Sequence, residues 1–261
     1  MLLKKALPEL IVLLALFFGT WWVIARIDWV KVLQVAKISS STEQKLGELL
    51  EDMLSSEKLI TRAAITKPVD SLLTHICNNN NIDRSAIKLH LVEKDEVNAF
   101  AMPGNHLVVY SGLIKASESP EQLAGVLAHE MAHLQLKHVM KKLIKEIGLS
   151  AVLGAAGGGE LVRDVLKSLS SSAYDRKLEK EADLMAVQYL ENAEMSAEPF
   201  ARFLYDLVSK ENKVPDVLNW MSTHPDSEER AKYILDNADN TLQSTTVIQA
   251  QTWQHLKELL P

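Results

Sequence analysis

The chain is poor in three things, and each shortage excludes a class of protein. It has one cysteine, Cys77, among 261 residues. A lone thiol closes no internal disulfide and builds no thiolate metal cage, so a bound metal would have to be held by imidazole and carboxylate. It has no surplus of positive charge: 28 Lys and Arg stand against 34 Asp and Glu, a formal charge of −6. A nucleic-acid partner needs a basic face for its phosphates, and the sequence offers none. It has no internal repeat, which excludes solenoids and propellers. What is there is 47% apolar residues, enough for the core of one catalytic-sized domain plus an appendage.

The appendage is N-terminal. Leu10 to Ala25 is an uncharged, almost wholly apolar run, preceded by Lys4, Lys5 and Glu9 and followed by Arg26. With Ile27, Trp29 and Val30 around Asp28 it approaches the roughly 20 residues that span a bilayer, and Trp21-Trp22 suits a membrane–water interface. The rival reading is a cleaved signal peptide, but the run is long for one and no A-x-A-like site follows. Residues 1–30 are therefore expected to form one transmembrane helix that stays attached as a membrane anchor. Lys4, Lys5 and the amino terminus favour an inside N-terminus with the remainder outside. Residues 31–67 read as a helical connector, 68–240 as the main domain and 241–261 as a C-terminal helical tail.

The expected fold class is α+β, mainly α-helical with a small β-sheet. In the connector, Ser39 to Thr42 offers an N-cap, and Leu46, Leu49, Leu50, Met53 and Leu54 recur at helical spacing. This segment lies either on the domain or on the membrane. Pro68 suits the first turn of the next helix, with Val69, Leu72, Leu73 and Ile76 on one face. The period then changes: strands are predicted around Ile87–Leu91, Val97–Met102 and Leu107–Tyr110, the last two joined by a type II turn at Pro103-Gly104. Ser119, Pro120 and Gln122 mark a helix start, and that helix is predicted to continue to about Ile147. Gly148 to Gly159 reads as a flexible loop, with a mobile flap as the alternative. Further helices are predicted over Glu160–Leu169, Tyr174–Asn192 and on to Leu260, with breaks at Pro199, Pro215 and Pro225.

The most informative stretch is His129-Glu130-Met131-Ala132-His133. Residues four apart on a helix share a face, so both imidazoles can bind one metal. Glu130 can then stand beside the metal without being a ligand, placed to accept a proton from an attacking water. Chance alone yields such a pentapeptide about once in fifty sequences of this composition, so its surroundings must support it. A catalytic zinc usually takes three protein ligands and keeps one open position. Glu179-Lys180-Glu181-Ala182-Asp183 offers the missing carboxylate on a separate helix. Taken alone it is an acidic patch on a solvated helix; the upstream motif reverses that preference. Glu179 and Asp183 share a face with Ala182 and Ala186, whereas Glu181 points roughly 200° away from Glu179, so the two glutamates cannot both face the metal. His138 follows His133 by five residues, turned off the ligand face, which favours a structural role. It also breaks the spacing of a metzincin third ligand. His75, His90, His106 and His255 have no ligand-like spacing to a partner.

Taken together, Val97 to Gly104, Tyr110 to Leu113, Leu123 to His133 with His138, Tyr174 to Asp183, and Thr223-His224-Pro225-Asp226 through Arg230 resemble one family. It is the zinc metallopeptidase family of the CAAX prenyl endopeptidase, HtpX, Oma and BepA type, and the likeness covers roughly Pro68 to Leu235 in matching order. The resemblance implies a zincin-like domain with one Zn2+ per chain, bound by His129, His133 and Glu179, with Glu130 as general base. It implies that Asp183 accepts the free N–H of a ligand imidazole. His224 would approach the metal, either stabilising the oxyanion or occupying the open position in a resting form, and Arg230 would offer further transition-state support. The many spans of the prenyl protease are absent, so its lipidated substrate does not carry over. One anchor before a soluble domain is closer to bacterial envelope members, with the catalytic domain on the extracytoplasmic side.

The expected function is a zinc-dependent metalloendopeptidase acting on protein or peptide substrates, misfolded or unassembled envelope proteins by resemblance. An extended substrate would pair with the sheet edge around Asn98-Ala99-Phe100. The alternatives are a chaperone-like zinc-binding protein with little or regulated proteolysis, and a purely structural zinc site closed by His224.

Overall fold

The computed structural model describes residues 13–14, 16–22, 40–210, 218–239 and 241–261. The chain divides into two units, residues 1–38 and 39–261. In the first, residues 13–14 and 16–22 are helical and exposed. The rest of the expected span, its flanking charges and the whole linker before Ser40 lie outside the described residues. Among the described residues no helix is long and apolar enough to cross a membrane.

The second unit begins with α1 (Ser40–Leu54), whose Leu46, Leu50 and Leu54 are buried, and α2 (Ala63–Asn79). The helix expected to start at Pro68 instead starts a turn and a half earlier and carries Pro68 inside it. Buried Ile65 supplies the reason, since it extends the apolar stripe of Val69, Leu72, Leu73 and Ile76 backwards. Three strands follow: β1 (Lys88–Val92), β2 (Ala99–Met102) and β3 (His106–Tyr110). They form one sheet in the order β1-β3-β2, with β1 parallel and β2 antiparallel to β3. Pro103-Gly104 turns the chain between β2 and β3, and Gly104 has the positive φ of 77° that a type II turn demands at this position. Every residue of β2 and β3 is buried, as expected of a sheet covered on both faces.

Short α3 (Ser111–Ala116) leads to α4 (Pro120–Gln135), the central helix. The Ser119 side chain accepts the Gln122 N–H, and Gln122 Oε1 accepts the Glu118 N–H, so the start is capped from both sides. From Leu123 to Leu134 every residue of α4 is buried. On one side α4 packs against β2, on another against α8 (Arg176–Asn192), and on a third against α9 (Glu198–Lys210). The α9 contact depends on Gly125: a Cβ there would lie 2.3 Å from Phe200 Cβ. Fully buried Phe200, which fills this approach, contributes about 1.5–3 kcal/mol.

Two expectations are corrected beyond α4. The helix does not run on to Ile147. It stops at Gln135, and α5 (His138–Ile147) starts after Lys137, whose φ of 57° is left-handed. That one residue redirects the chain. The glycine-rich stretch is also no simple loop, since α6 (Leu149–Ala155) lies within it and buries Val152 and Ala155. A left-handed Gly148 opens it and Gly158 and Gly159 close it, so the glycines punctuate the helix rather than dissolve it. Then come α7 (Leu161–Ser171), α8, α9, α10 (Leu218–Thr223), α11 (Ser227–Asn237) and α12 (Ala250–Leu259). Pro199 opens α9 and Pro225 separates α10 from α11, while Pro215 lies outside the described residues.

Candidate metal centre

Four side chains from three parts of the fold converge. His129 and His133 project from α4, Glu179 from the first turn of α8, and His224 from the loop after α10. One ligand atom of each lies within 4.8 Å of the others. The two helix-borne imidazoles bring their Nε2 atoms to 3.0 Å. Glu179 places Oε2 at 3.5 Å from His129 Nε2 and Oε1 at 3.3 Å from His133 Nε2. His224 Nδ1 lies 3.2 Å from both Glu179 oxygens and 3.4 Å from His129 Nε2. All four residues are buried. Ala182 and Ala186, both fully buried, let α8 approach α4 this closely.

Glu130 stands beside this group and outside it. Its Oε2 accepts the Ala101 backbone N–H at 3.0 Å, which ties it to the outer edge of β2. Its Oε1 has no hydrogen-bond partner, nor does His224 Nε2. The two atoms are 3.3 Å apart, but not aligned for a bond. Burial pushes the Glu130 carboxyl up to about 7. A group titrating there can both take and give a proton near neutrality.

A second layer holds the first. Asp183, one turn beyond Glu179, brings Oδ1 to 3.0 Å from His129 Nδ1. Arg230 on α11 grips Asp183 with Nε at 2.8 Å and Nη2 at 2.7 Å, and reaches Glu179 with Nη1 at 2.5 Å. Burial opposes ionisation of both carboxylates, but Arg230 overcomes it, aided at Glu179 by His224 and at Asp183 by His129, and holds both below their usual range. Burial likewise opposes the charged His129 imidazole, and neighbouring Arg230 works the same way; Asp183 and Glu179 outweigh both and lift it to about 9. His133 is pushed well down and His224 down to about 4, both chiefly by burial. A metal bound here would displace protons from its imidazole ligands.

The donor set fits a divalent ion of borderline softness. Three imidazole nitrogens and a carboxylate, all on buried residues, face one another, and two buried polar atoms, Glu130 Oε1 and His224 Nε2, lack hydrogen-bond partners. Glu181 points elsewhere, with Oε2 3.3 Å from His138 Nε2. His138 itself is not among the four, yet it touches one of them: the break at Lys137 returns it to His133, Nδ1 to Nδ1 at 3.1 Å. Sequence reading gave no role at the site to Tyr174, stacked on His133 with ring centroids 3.9 Å apart, or to Trp220, stacked on His224 at 4.2 Å. Nor did it place buried Lys142, whose ammonium lies over the Tyr174 ring. Contacts of this kind join residues far apart in the chain, and no local spacing signals them.

With this geometry, the sequence profile of peptidase family M48 matches residues 64–238. The chain belongs to peptidase family M48. The matched region is thus a domain of that peptidase family. It is 24% identical over 206 residues to a "Beta-barrel assembly-enhancing protease" of Yersinia pestis, covering 73% of this chain and 42% of that one. It is 28% identical over 211 residues to "Metalloendopeptidase OMA1, mitochondrial" of Bos taurus, 74% of this chain and 40% of that one. Against "Metalloprotease LoiP" of Escherichia coli K12 it is 31% identical over 175 residues, 63% of this chain and 68% of that one. The chain thus spans less than half the length of the beta-barrel assembly-enhancing protease it matches.

Proposed function

We propose that this M48 chain is a zinc-dependent endopeptidase that cleaves misfolded or unassembled proteins of a bacterial envelope, held at the membrane by residues 1–30 with its catalytic domain on the extracytoplasmic side. The envelope setting is supported by the relatives named for beta-barrel assembly. The apolar run from Leu10 to Ala25 supports the anchor.

The observation that carries the peptidase reading is Glu130. A site that merely held zinc would have no use for a carboxylate beside the donor set, buried, tied to β2 and titrating near 7. In this reading His129, His133 and Glu179 hold one Zn2+. The metal supplies Lewis acidity for the scissile carbonyl and for the attacking water. Glu130 takes the water's proton and passes it to the leaving amine. Asp183 fixes His129 by accepting from its Nδ1, 3.0 Å away. The guanidinium of Arg230 is fully engaged with Asp183 and Glu179, so its part is to keep both carboxylates charged and in place rather than to meet the substrate. His224 acts as a brake, a fourth donor that competes for the open position.

An extended peptide would add to the β2 edge. Tyr110 N–H donates to the Asn98 carbonyl, so Asn98 faces into the sheet. The Ala101 N–H faces Glu130, and Ala99, two residues back, shares its side of the strand. That edge is buried, with α7 packed against β2 and α10 against α7, so a substrate strand requires this cover to open.

The test is cleavage of casein or a destabilised envelope protein by the full chain and by Glu130→Gln. The variant is expected to keep its metal and lose about 10²–10⁴-fold in rate. Equal, chelator-insensitive behaviour of the two would defeat the peptidase reading and leave a chaperone-like zinc protein.

A further inference from the structure

We propose that Glu51, His90 and His106 form a second metal site, for a divalent transition ion of the zinc class, between α1 and the sheet. One ligand atom of each of these residues also lies within 4.8 Å of the others. Strand pairing creates the juxtaposition. In the parallel ladder Lys88 lies beside His106, and His90 beside Val108. Residues two apart on a strand share a face, so Lys88, His90 and His106 all project from the same side. His90 Nε2 and His106 Nδ1 meet at 2.9 Å. Two nitrogens bound to one zinc ion at about 2.0–2.1 Å stand roughly 2.9–3.4 Å apart, for angles between square and tetrahedral.

The third donor comes from α1, which lies over that face. Glu51 Oε2 is 3.9 Å from His106 Nε2, the ring nitrogen that does not face His90, and a Glu51 carboxylate oxygen lies within 4.8 Å of one donor nitrogen on each ring. Gly47, one helical turn before Glu51, fixes α1 against the β2–β3 turn: a Cβ on Gly47 would lie 2.4 Å from the Pro103 carbonyl oxygen. The next residue of that turn, Gly104, abuts the His106 ring, where an added Cβ would be 3.2 Å from Cδ2. Helix, turn and imidazole are thus held together by backbone contacts before any ion arrives. His106 is buried, whereas His90 and Glu51 are part-exposed, so an ion could reach the site from solvent and keep water ligands.

The competitor is Lys88, whose ammonium bonds Glu51 Oε2 at 2.9 Å. Its side chain is 46% exposed. An exposed pair of this kind contributes little, and the ammonium can move to water when an ion takes the carboxylate. Two imidazoles and one carboxylate suit zinc, nickel or copper rather than calcium or magnesium. The ion would clip α1, the first described element of the domain, to β1 and β3.

The experiment is equilibrium dialysis of the full metal-stripped chain against Zn2+, with metal counted per chain. The expected result is two equivalents for the parent and one for either His90→Ala or Glu51→Gln, with circular dichroism confirming that both variants are folded. Lys88→Met should tighten the second equivalent several-fold by removing the competitor. One equivalent in the parent that His90→Ala leaves untouched would overturn the proposal. So would two equivalents that both survive His90→Ala and Glu51→Gln. The catalytic reading fails separately, if Glu179→Ala binds as many equivalents as the parent.

Discussion

Two clusters in this protein combine imidazoles with one glutamate, and they are built in opposite ways. At the M48 centre two of the three imidazoles ride one helix at four-residue spacing, and every donor is buried. Behind the donors stand Asp183, Arg230 and His138. At the Glu51 cluster the donors come from a surface helix and two strands, two of them are part-exposed, and a lysine holds the carboxylate. The difference teaches where preorganisation resides. Zinc ligands of one class can be written at a spacing, but the charges that fix them must come from further elements. Those backing groups separate a centre that orients a reaction from one that would only tie a helix to a sheet.

The sharpest way to break the comparison is to remove the carboxylate from the buried centre. Glu179→Ala is expected to lose most of the zinc bound there, because the only carboxylate of the donor set is gone and the Arg230 Nη1 that met it loses its partner. Glu181→Ala should retain it, since Glu181 faces His138. Metal content of the two variants checks this, and the reverse pattern would move the third ligand to Glu181.

The two clusters also differ in how far they can be read from sequence. His129 and His133 are legible because helix geometry turns a spacing of four into a shared face, and Glu179 with Asp183 repeats that logic on a second helix. The start of α4 is legible from Ser119 and Pro120, and the three strands from the change of period. The end of α4 is not. Nothing in Gln135-Leu136-Lys137 announces a left-handed residue, and on that turn depends whether His138 points away from His133 or touches it. The helix inside the glycine-rich stretch was hidden because glycines that cap and glycines that loosen look alike in sequence. His90 and His106 are sixteen residues apart, and only the parallel pairing of β1 with β3 brings them together. No local period encodes a ladder between non-consecutive strands.

A milder change sharpens the comparison by stripping the backing alone. Asp183→Asn keeps the shape of the side chain but removes the charge that His129 Nδ1 and Arg230 both face. Zinc affinity or rate should fall by roughly 10–100-fold, as is usual for partners that orient a ligand imidazole. Stability should become less dependent on acid at the same time. The folded-state pKa of Asp183 is depressed, so its contribution is present above the unfolded carboxyl pKa and lost as pH falls through the folded value. A variant that matches the parent in metal titration and in acid unfolding would place Asp183 outside the machinery.

The smallest expected effect concerns His224, for which the Glu51 cluster has no counterpart among the described residues. Three protein ligands leave a catalytic zinc one open position. His224 Nδ1 is as close to Glu179 and His129 as those residues are to each other, and the ring is buried against Trp220. Pro225 restricts His224 to extended backbone, so the ring sits on a loop between α10 and α11 rather than within a helix. A fourth imidazole held there competes with water and substrate for the metal. His224→Ala should therefore cleave a loosely folded substrate a few-fold faster than the parent, with zinc content unchanged. An oxyanion donor would behave with the opposite sign, its removal costing on the order of 10²-fold in rate. A slow variant with normal zinc would transfer His224 from restraint to catalysis, and the resting site would then need a different brake.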